Sequence, residues 1–320
     1  MPKVSVIIPL YGVEQYIERC ARSLFEQTLD DMEYLFIDDC TPDKSIEILR
    51  RVLEEYPQRK SQVIIHRMAQ NSGQALVRKW GIDNSTGDYI IHCDSDDWVD
   101  CNMYRDLYVQ AVETESDVVV CDYFITDCAI SKRIKACDSV ERNKLAENIL
   151  YHKNASSLCN KLIKRDLYIN RGVTYPKCSM AEDITLVVQL LWYCKSITYI
   201  EKAYYYYYSN NESISKNMEE SRIVKRFQDS ISNISILCNF LREKRVPASL
   251  NTALIYAINH QRENILPLID KKEYYEMWAT CFPEINNPFL IRWGIPVSDK
   301  LRFIMAKLKI YPFIRKIRKL

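Results

Sequence analysis

Glycine is scarce, with 6 residues in 320. No Gly-Xaa-Gly-Xaa-Xaa-Gly follows the first apolar run, which excludes the dinucleotide-binding fingerprint. The Walker lysine loop is missing too. The 12 cysteines form no Cys-Xaa-Xaa-Cys pair and the 4 histidines are scattered, which argues against structural zinc. No uninterrupted apolar run is long enough to span a bilayer. Met1-Pro2-Lys3 leads straight into an apolar run, so we expect no signal peptide and a cytoplasmic chain. In that compartment the cysteines read as reduced core thiols, not as a disulfide framework.

What remains is an ordinary globular composition, 48% hydrophobic and 27% charged, with 22 tyrosines. Its length allows one large or two small domains. The net charge of +2 is uneven: residues 300–320 carry eight Lys or Arg and no acid, leaving −6 on the rest.

The first half alternates between two periods. Residues 4–8 are an apolar, β-branched run broken only by Ser5, the pattern of a central parallel strand buried on both faces. Val13, Tyr16, Ile17, Cys20, Ala21, Leu24 and Phe25 then recur at helical spacing, predicting a helix over 14–27. Further strands are expected at 34–37, 63–66, 89–93 and 118–121. Thr41-Pro42 reads as a hydroxyl cap and first helical position. A helix over 73–83 is expected to turn Leu76, Val77 and Trp80 inward, and another follows at Met103, Leu107 and Ala111. Strands alternating with helices in this way imply right-handed βαβ units and a parallel sheet.

Two of these strands end in acids, Asp38-Asp39 and Asp94-Ser95-Asp96-Asp97. In an open α/β sheet, ligands bind beyond the carboxyl ends of the strands, and topology brings both tips to one edge. On an extended chain Asp94 and Asp96 point the same way. Like charges that close repel unless a cation sits between them, and hard oxygen ligands suit Mg²⁺ or Mn²⁺. The bland alternative is a solvated acidic turn before the helix near Asn102.

The ordered set Val4-Ser5-Val6-Ile7-Ile8-Pro9-Leu10-Tyr11, Ser23-Leu24-Phe25-Glu26-Gln27-Thr28, Phe36-Ile37-Asp38-Asp39-Cys40-Thr41-Pro42-Asp43-Lys44-Ser45, Asn71-Ser72-Gly73, Gly87-Asp88-Tyr89-Ile90 and Asp94-Ser95-Asp96-Asp97-Trp98 resembles the family 2 glycosyltransferases of the GT-A fold. The resemblance implies an α/β, mostly parallel sheet flanked by helices. It implies that Pro9, Leu10, Tyr11 and Asp39 border a nucleotide base, with Tyr11 stacking on it and Asp39 accepting from its N–H edge. Asp38 would join them or hold the loop shape. Gly73 would let the backbone approach the donor, and Arg78 would reach the nucleotide or its diphosphate. Asp94, Ser95, Asp96 and Asp97 would serve ribose, diphosphate and metal, the three acids being the metal candidates. The family's Ala-Arg-Asn-Xaa-Gly is Val77-Arg78-Lys79-Trp80-Gly81 here, with Arg78 in register and Trp80 read as core.

The second half is less patterned. Residues 122–155 are polar and read as a variable connection over the site. Cys159-Asn160-Lys161-Leu162-Ile163-Lys164-Arg165 resembles a family segment, with Lys161 either near the donor or solvated. Met180-Ala181-Glu182-Asp183-Ile184 opens an apolar helix. Acids in a first turn suit the helix dipole. The resemblance adds that one of this pair is the base, and we expect Asp183 in that role with Glu182 supporting it. Tyr204 to Tyr208 is a run of five tyrosines before a Ser213-Ile214-Ser215 loop, either an acceptor platform or a strand closing the core.

Helical spacing resumes after Glu219. We expect a catalytic domain over 1–215, with a nucleotide half at 1–100 and an acceptor half at 101–215. A helical region over 216–320 would end in a basic amphipathic tail. Residues 300–320 have the composition of an interfacial helix that meets an anionic membrane. A docking helix or a solvated tail are the alternatives. No basic patch accompanies the catalytic half, which argues against nucleic acid. These features point to an inverting, metal-assisted transfer from a nucleotide sugar, a UDP-sugar, to a glycan or lipid-linked glycan. The rivals are a sugar nucleotidyltransferase, which would want a Gly-rich, Arg-containing loop where Pro9-Leu10-Tyr11-Gly12-Val13 stands, and a non-catalytic nucleotide- or glycan-binding protein.

Overall fold

The computed structural model describes residues 2–209 and 218–312. The Ser213-Ile214-Ser215 loop and tail residues 313–320 lie outside them. In chain order the elements are β1 (Val4–Leu10), α1 (Ile17–Phe25), β2 (Met32–Asp38), α2 (Ser45–Glu54), β3 (Val63–Arg67), α3 (Gln74–Asn84), β4 (Tyr89–His92), β5 (Trp98–Val99) and α4 (Met103–Glu113). Then come β6 (Val118–Thr126), β7 (Ser131–Ile134), α5 (Arg142–Leu150), β8 (Lys161–Lys164), α6 (Arg165–Ile169), α7 (Glu182–Tyr193) and β9 (Ile197–Tyr208). The rest is helical: α8 (Glu220–Glu243), α9 (Ala248–Arg262), α10 (Lys272–Thr280), α11 (Asn286–Ile291) and α12 (Val297–Lys307).

The strands form one nine-stranded sheet in the order β3-β2-β1-β4-β8-β6-β9-β5, with β7 paired to β6. Strands β3, β2, β1 and β4 are parallel, so β2 and β4 end at the same edge. β8 runs antiparallel to both β4 and β6, while β9 is parallel to β6. The sheet is therefore mixed, α/β with a parallel nucleotide-side half.

Alternation along β1 feeds two cores. Ile7 packs with Leu35, Val77 and Ile90 on one face, while Val6 and Ile8 pack with Cys20, Leu24 and Met103 on the other. Each such fully buried aliphatic side chain contributes roughly 1.5–3 kcal/mol. Gly81 lets α3 lie directly on β1, since a Cβ there would come within 2.6 Å of Ile7 Cγ2. Helices α8 and α9 share the first core with α5 and α7, through Ile234, Leu237, Ala253 and Ala257. A third core joins Phe227, Ile265, Trp278, Phe289 and Phe303.

Several expectations are corrected. The stretch 122–155 is not an irregular connection: β6 runs on to Thr126, and β7 and α5 follow. Thr41 is not a helix cap. Its hydroxyl accepts from Gly12 N–H, α2 starts at Ser45, and the Asp43 carboxylate accepts from Ser45 N–H and Oγ. Leu76 is 42% exposed, not inward, while Trp80 stacks on His66. All 12 cysteines are free, yet Cys101 and Cys128 are exposed rather than core. No helix among the described residues is long and apolar enough to cross a membrane.

Candidate active site

The acid stretch after β4 is a turn, not an extended chain. Asp97 N–H donates to Asp94 O at 3.1 Å, and the chain doubles back into β5. Asp94 and Asp97 therefore point to different neighbours, and the extended chain assumed for the acids gives way to a turn. The Asp94 carboxylate accepts from Gln74 Nε2 (3.0 Å) and Arg78 Nη2 (2.7 Å) on α3. Asp97, 1% exposed, accepts from Tyr205 Oη and from Tyr208 N–H on β9. Tyr205 Oη also accepts from Asp94 N–H at 3.1 Å, so one phenol fastens both ends of the turn. Arg19 on α1 holds it from outside: Nη2 donates to Asp96 O at 2.8 Å, and the guanidinium lies 3.7 Å from the Trp98 ring centre. Ser95 is buried beneath.

Among the described residues no side chain donates to the Asp96 carboxylate itself; Arg19 holds only the backbone carbonyl. Burial and the Asp94 charge push it up to about 6. Asp97 is pushed well up by burial and by Asp96 and Asp94. Crowded, half-buried carboxylates are the donor set a hard cation relieves. The described residues hold no cluster of three His, Cys, Asp or Glu side chains set to enclose an ion. Two carboxylates, with the remaining positions left to substrate phosphate and water, fit Mg²⁺ or Mn²⁺.

Arg78 is 3% exposed and engaged by the protein's own acids, one of them in the acid turn. Nη1 donates to Glu182 Oε1 (2.6 Å) and Asp183 Oδ1 (2.5 Å), while Nη2 reaches Asp94. One guanidinium thus joins the acid turn to the first turn of α7. Burial alone would lower the arginine's affinity for its proton, but Glu182, Asp183 and Asp94 raise it well above the usual value. Three carboxylates outnumber it. Burial raises Glu182, and Asp183 and Asp94 add to the rise against the pull of Arg78. Burial also raises Asp183, with Arg78 and Lys161 pulling back and Asp94 adding. The side chain of Asp183 is 29% exposed and that of Glu182 only 7%, so Asp183 is the one a second molecule can reach.

The nucleotide-side residues lie at the same sheet edge. Pro9 and Leu10 close β1, and Tyr11, just beyond, is 52% exposed. The Asp38 carboxylate accepts from Thr41 N–H (2.7 Å) and pairs with Arg67, which holds the loop shape. The two oxygens of Asp39 accept from Ser72 N–H (2.6 Å) and Gly73 N–H (2.8 Å). Each keeps a lone pair for a further donor. Gly73 has φ +82°, and a Cβ there would come within 3.0 Å of Ser179 Oγ, so the chain before α7 is drawn against the start of α3. Asp39, Gly73, Gln74, Asp94, Arg78 and Asp183 form one unbroken line of contacts. Two non-glycine residues beside the acids, Cys40 (φ 59°) and Ala181 (φ 58°), adopt the left-handed region. That conformation costs roughly 1–3 kcal/mol and persists only where the surroundings impose it.

Lys161 is neither solvated nor turned to a donor. It is buried on β8, with Nζ donating to Ala155 O (2.9 Å), Ser157 O (2.7 Å) and Asn160 Oδ1 (2.9 Å), and burial brings it down to about 8. Gln74, Tyr205 and Arg19 escaped the sequence reading. Only Tyr205 had a signal, the alternation in the tyrosine run. In that run Tyr204 donates to Asp106, Tyr206 stacks between Trp98 and Phe124, and Tyr207 is 42% exposed. Replacing Tyr205 with Phe leaves Asp97 short of a donor at a buried charge. The expected loss is about 1–3 kcal/mol in a urea titration, since a hydrogen bond to a buried charged group is removed without replacement.

The model for Glycosyl transferase family 2 matches residues 5–180. The uncharacterized glycosyltransferase EpsJ of Bacillus subtilis is 38% identical over 39% of this chain and 35% of EpsJ, so the match spans about a third of that relative. The putative glycosyltransferase EpsH of the same organism is 25% identical over 98% of this chain and 94% of EpsH. Among solved structures, S. aureus TarS 1–349 in complex with UDP-GlcNAc superposes with TM-score 0.63 at 17% identity, covering 97% of this chain and 88% of that one. The mannosyltransferase PcManGT of Pyrobaculum calidifontis, in complex with GDP-Man and Mn²⁺, gives TM-score 0.54 at 14% identity, covering 99% and 87%. The fold is thus that of the GT-A neighbours, and with more than half of its length matched the chain belongs to family 2 of the glycosyl transferases.

Proposed function

We propose that this glycosyltransferase is inverting and cation-assisted, taking its sugar from a UDP-sugar and passing it to a hydroxyl of a glycan or lipid-linked glycan. The supporting observation is the Arg78 bridge, which sets the reachable carboxylate of Asp183 beside the acid turn. Tyr11 and Asp39 meet the base, and Ser95 and Gly73 line the donor's path. The acceptor hydroxyl attacks the anomeric carbon from the face opposite the diphosphate. Asp183 takes the hydroxyl proton as the new C–O bond forms, and the bond to the diphosphate oxygen breaks with its electron pair leaving on that oxygen. Glu182 supports Asp183 through their shared guanidinium. Asp94 and Asp96 would hold Mg²⁺ or Mn²⁺, which when bound supplies Lewis-acid stabilisation of the leaving diphosphate. Asp97 braces the turn. UDP-GlcNAc in the TarS complex and Mn²⁺ in the PcManGT complex support donor class and cation. A lipid-linked acceptor and a peripheral place at the cytoplasmic membrane face fit the basic segment 300–320.

A panel of nucleotide sugars with Mn²⁺, scored by thermal shift, tests the donor. A ligand at 100 times its Kd adds about 2.7 kcal/mol to the folded state. UDP-sugars are expected to raise the melting temperature and GDP-sugars to leave it unchanged. Asp96→Ala is expected to need at least ~10-fold more Mn²⁺ for half-maximal transfer, on the scale of weakened metal sites. Parent-like Mn²⁺ dependence in that variant rules out Asp96 as a ligand.

A further inference from the structure

Helix α12 has two different faces. Asp299, Phe303 and Ala306 turn inward, the latter two packing with Trp278 and Phe289. The outward face carries Val297 (72% exposed), Leu301 (54%), Ile304 (41%) and Leu308 (62%). Steps of four, three and four residues place these side chains in one stripe. Just before the helix, Ile291 is 76% and Trp293 96% exposed. Single exposed apolar residues are ordinary, but a contiguous stripe with a polar border marks an interaction surface.

Charge selects the occupant. At 100° per residue Lys300 and Lys307 fall together on one flank of the stripe. Asp299, the only acid of α12, is buried and paired with Arg302, so the outward face shows no negative charge. Residues 300–320 are basic without exception among their charged positions. Lysine is depleted at protein–protein contacts, and a second copy would bring a like-charged segment against this one. A tryptophan at the rim, aliphatic residues in a stripe and lysines on the flank are what an anionic lipid surface takes.

We propose that the α11–α12 face docks on an anionic bilayer surface. Trp293, Val297, Leu301, Ile304 and Leu308 enter the headgroup region, and Lys300 and Lys307 meet the lipid charge. The contact thus begins before residue 300, at a tryptophan the composition of the tail does not single out. It stands apart from the reading of the carboxylates, because none of its residues belongs to that site.

The full chain is sedimented with vesicles of phosphatidylcholine alone and of phosphatidylcholine mixed with phosphatidylglycerol. It is expected to pellet with the mixed vesicles only and to be released by high salt, which screens the lipid charge. Leu301→Glu with Ile304→Glu changes exposed positions, and is expected to cut the pelleted fraction at least ~10-fold at an unaltered melting temperature. Lys300→Glu with Lys307→Glu is expected to weaken binding to the mixed vesicles at least ~10-fold, as each lysine near the surface is worth about fivefold. Three results overturn the proposal. They are no pelleting of the parent, equal pelleting of parent and Leu301→Glu/Ile304→Glu, and loss of a concentration-dependent dimer in that variant without vesicle binding by the parent.

Discussion

Asp183→Asn is expected to lower kcat by ~10²–10⁴-fold, the usual worth of a positioned general base. Asparagine keeps the size of the side chain and an oxygen that can accept from Arg78, but has no basic oxygen to take a proton. In the proposed arrangement the donor binds elsewhere along the sheet edge, so its Kd by calorimetry is expected to stay within about threefold of the parent's, and the loss to appear in kcat. Burial and the Asp94 charge raise Asp183, while Arg78 and Lys161 oppose them. A general base acts as the carboxylate, so with Asp183 in that role kcat/KM of the parent is expected to fall as pH drops through that raised value. In Asp183→Asn this acid limb disappears. Transfer by the variant at near-parent kcat would remove Asp183 from the mechanism.

Arg78→Met is expected to cost about 3–5 kcal/mol of stability, measured by urea unfolding at neutral pH. The substitution is close in length, so packing changes little. What is lost is the only cation, among the described residues, bonded to Glu182, Asp183 and Asp94 together, leaving like charges converging in a buried place. Burial already raises Asp183, and raises Glu182 to about 8, even with the arginine present. Without it they rise further, so the folded variant binds more protons than the unfolded chain. Its stability is then expected to recover as pH falls, and the gap to the parent to narrow. Arg78→Lys restores one charge without the planar fork and is expected to fall between the two. An Arg78→Met protein as stable as the parent at neutral pH would mean that the three acids do not share this cation.

The parallel half of the fold was legible because each strand there carries its own signal. Ile7 and its neighbours alternate between two buried faces, and the acids after β2 and β4 fall where a parallel sheet ends its strands. The turn that carries the acids was not legible. Alternation holds only while the chain stays extended, and the Asp94–Asp97 hydrogen bond bends it. Nor was the partner of Arg78, since Glu182 and Asp183 lie more than 100 residues away in sequence. Helix α5 was missed although Leu145, Ala146, Ile149 and Leu150 have helical spacing. Its polar surroundings mask a face that becomes apolar core only against α7 and α9. The left-handed Ala181 had no signal at all, because alanine is the best helix former.

The shortage of glycine has a consequence for how the chain can vary. At Cys40 and Ala181 the bends beside the acids are made by residues that visit such angles only when their neighbours compel them. Both positions are therefore narrow. A β-branched side chain is barred at either, and glycine, which fits without strain, would release the neighbouring acid from a fixed aim. Substitution is thus expected to be restricted at two residues whose part is to aim their neighbours.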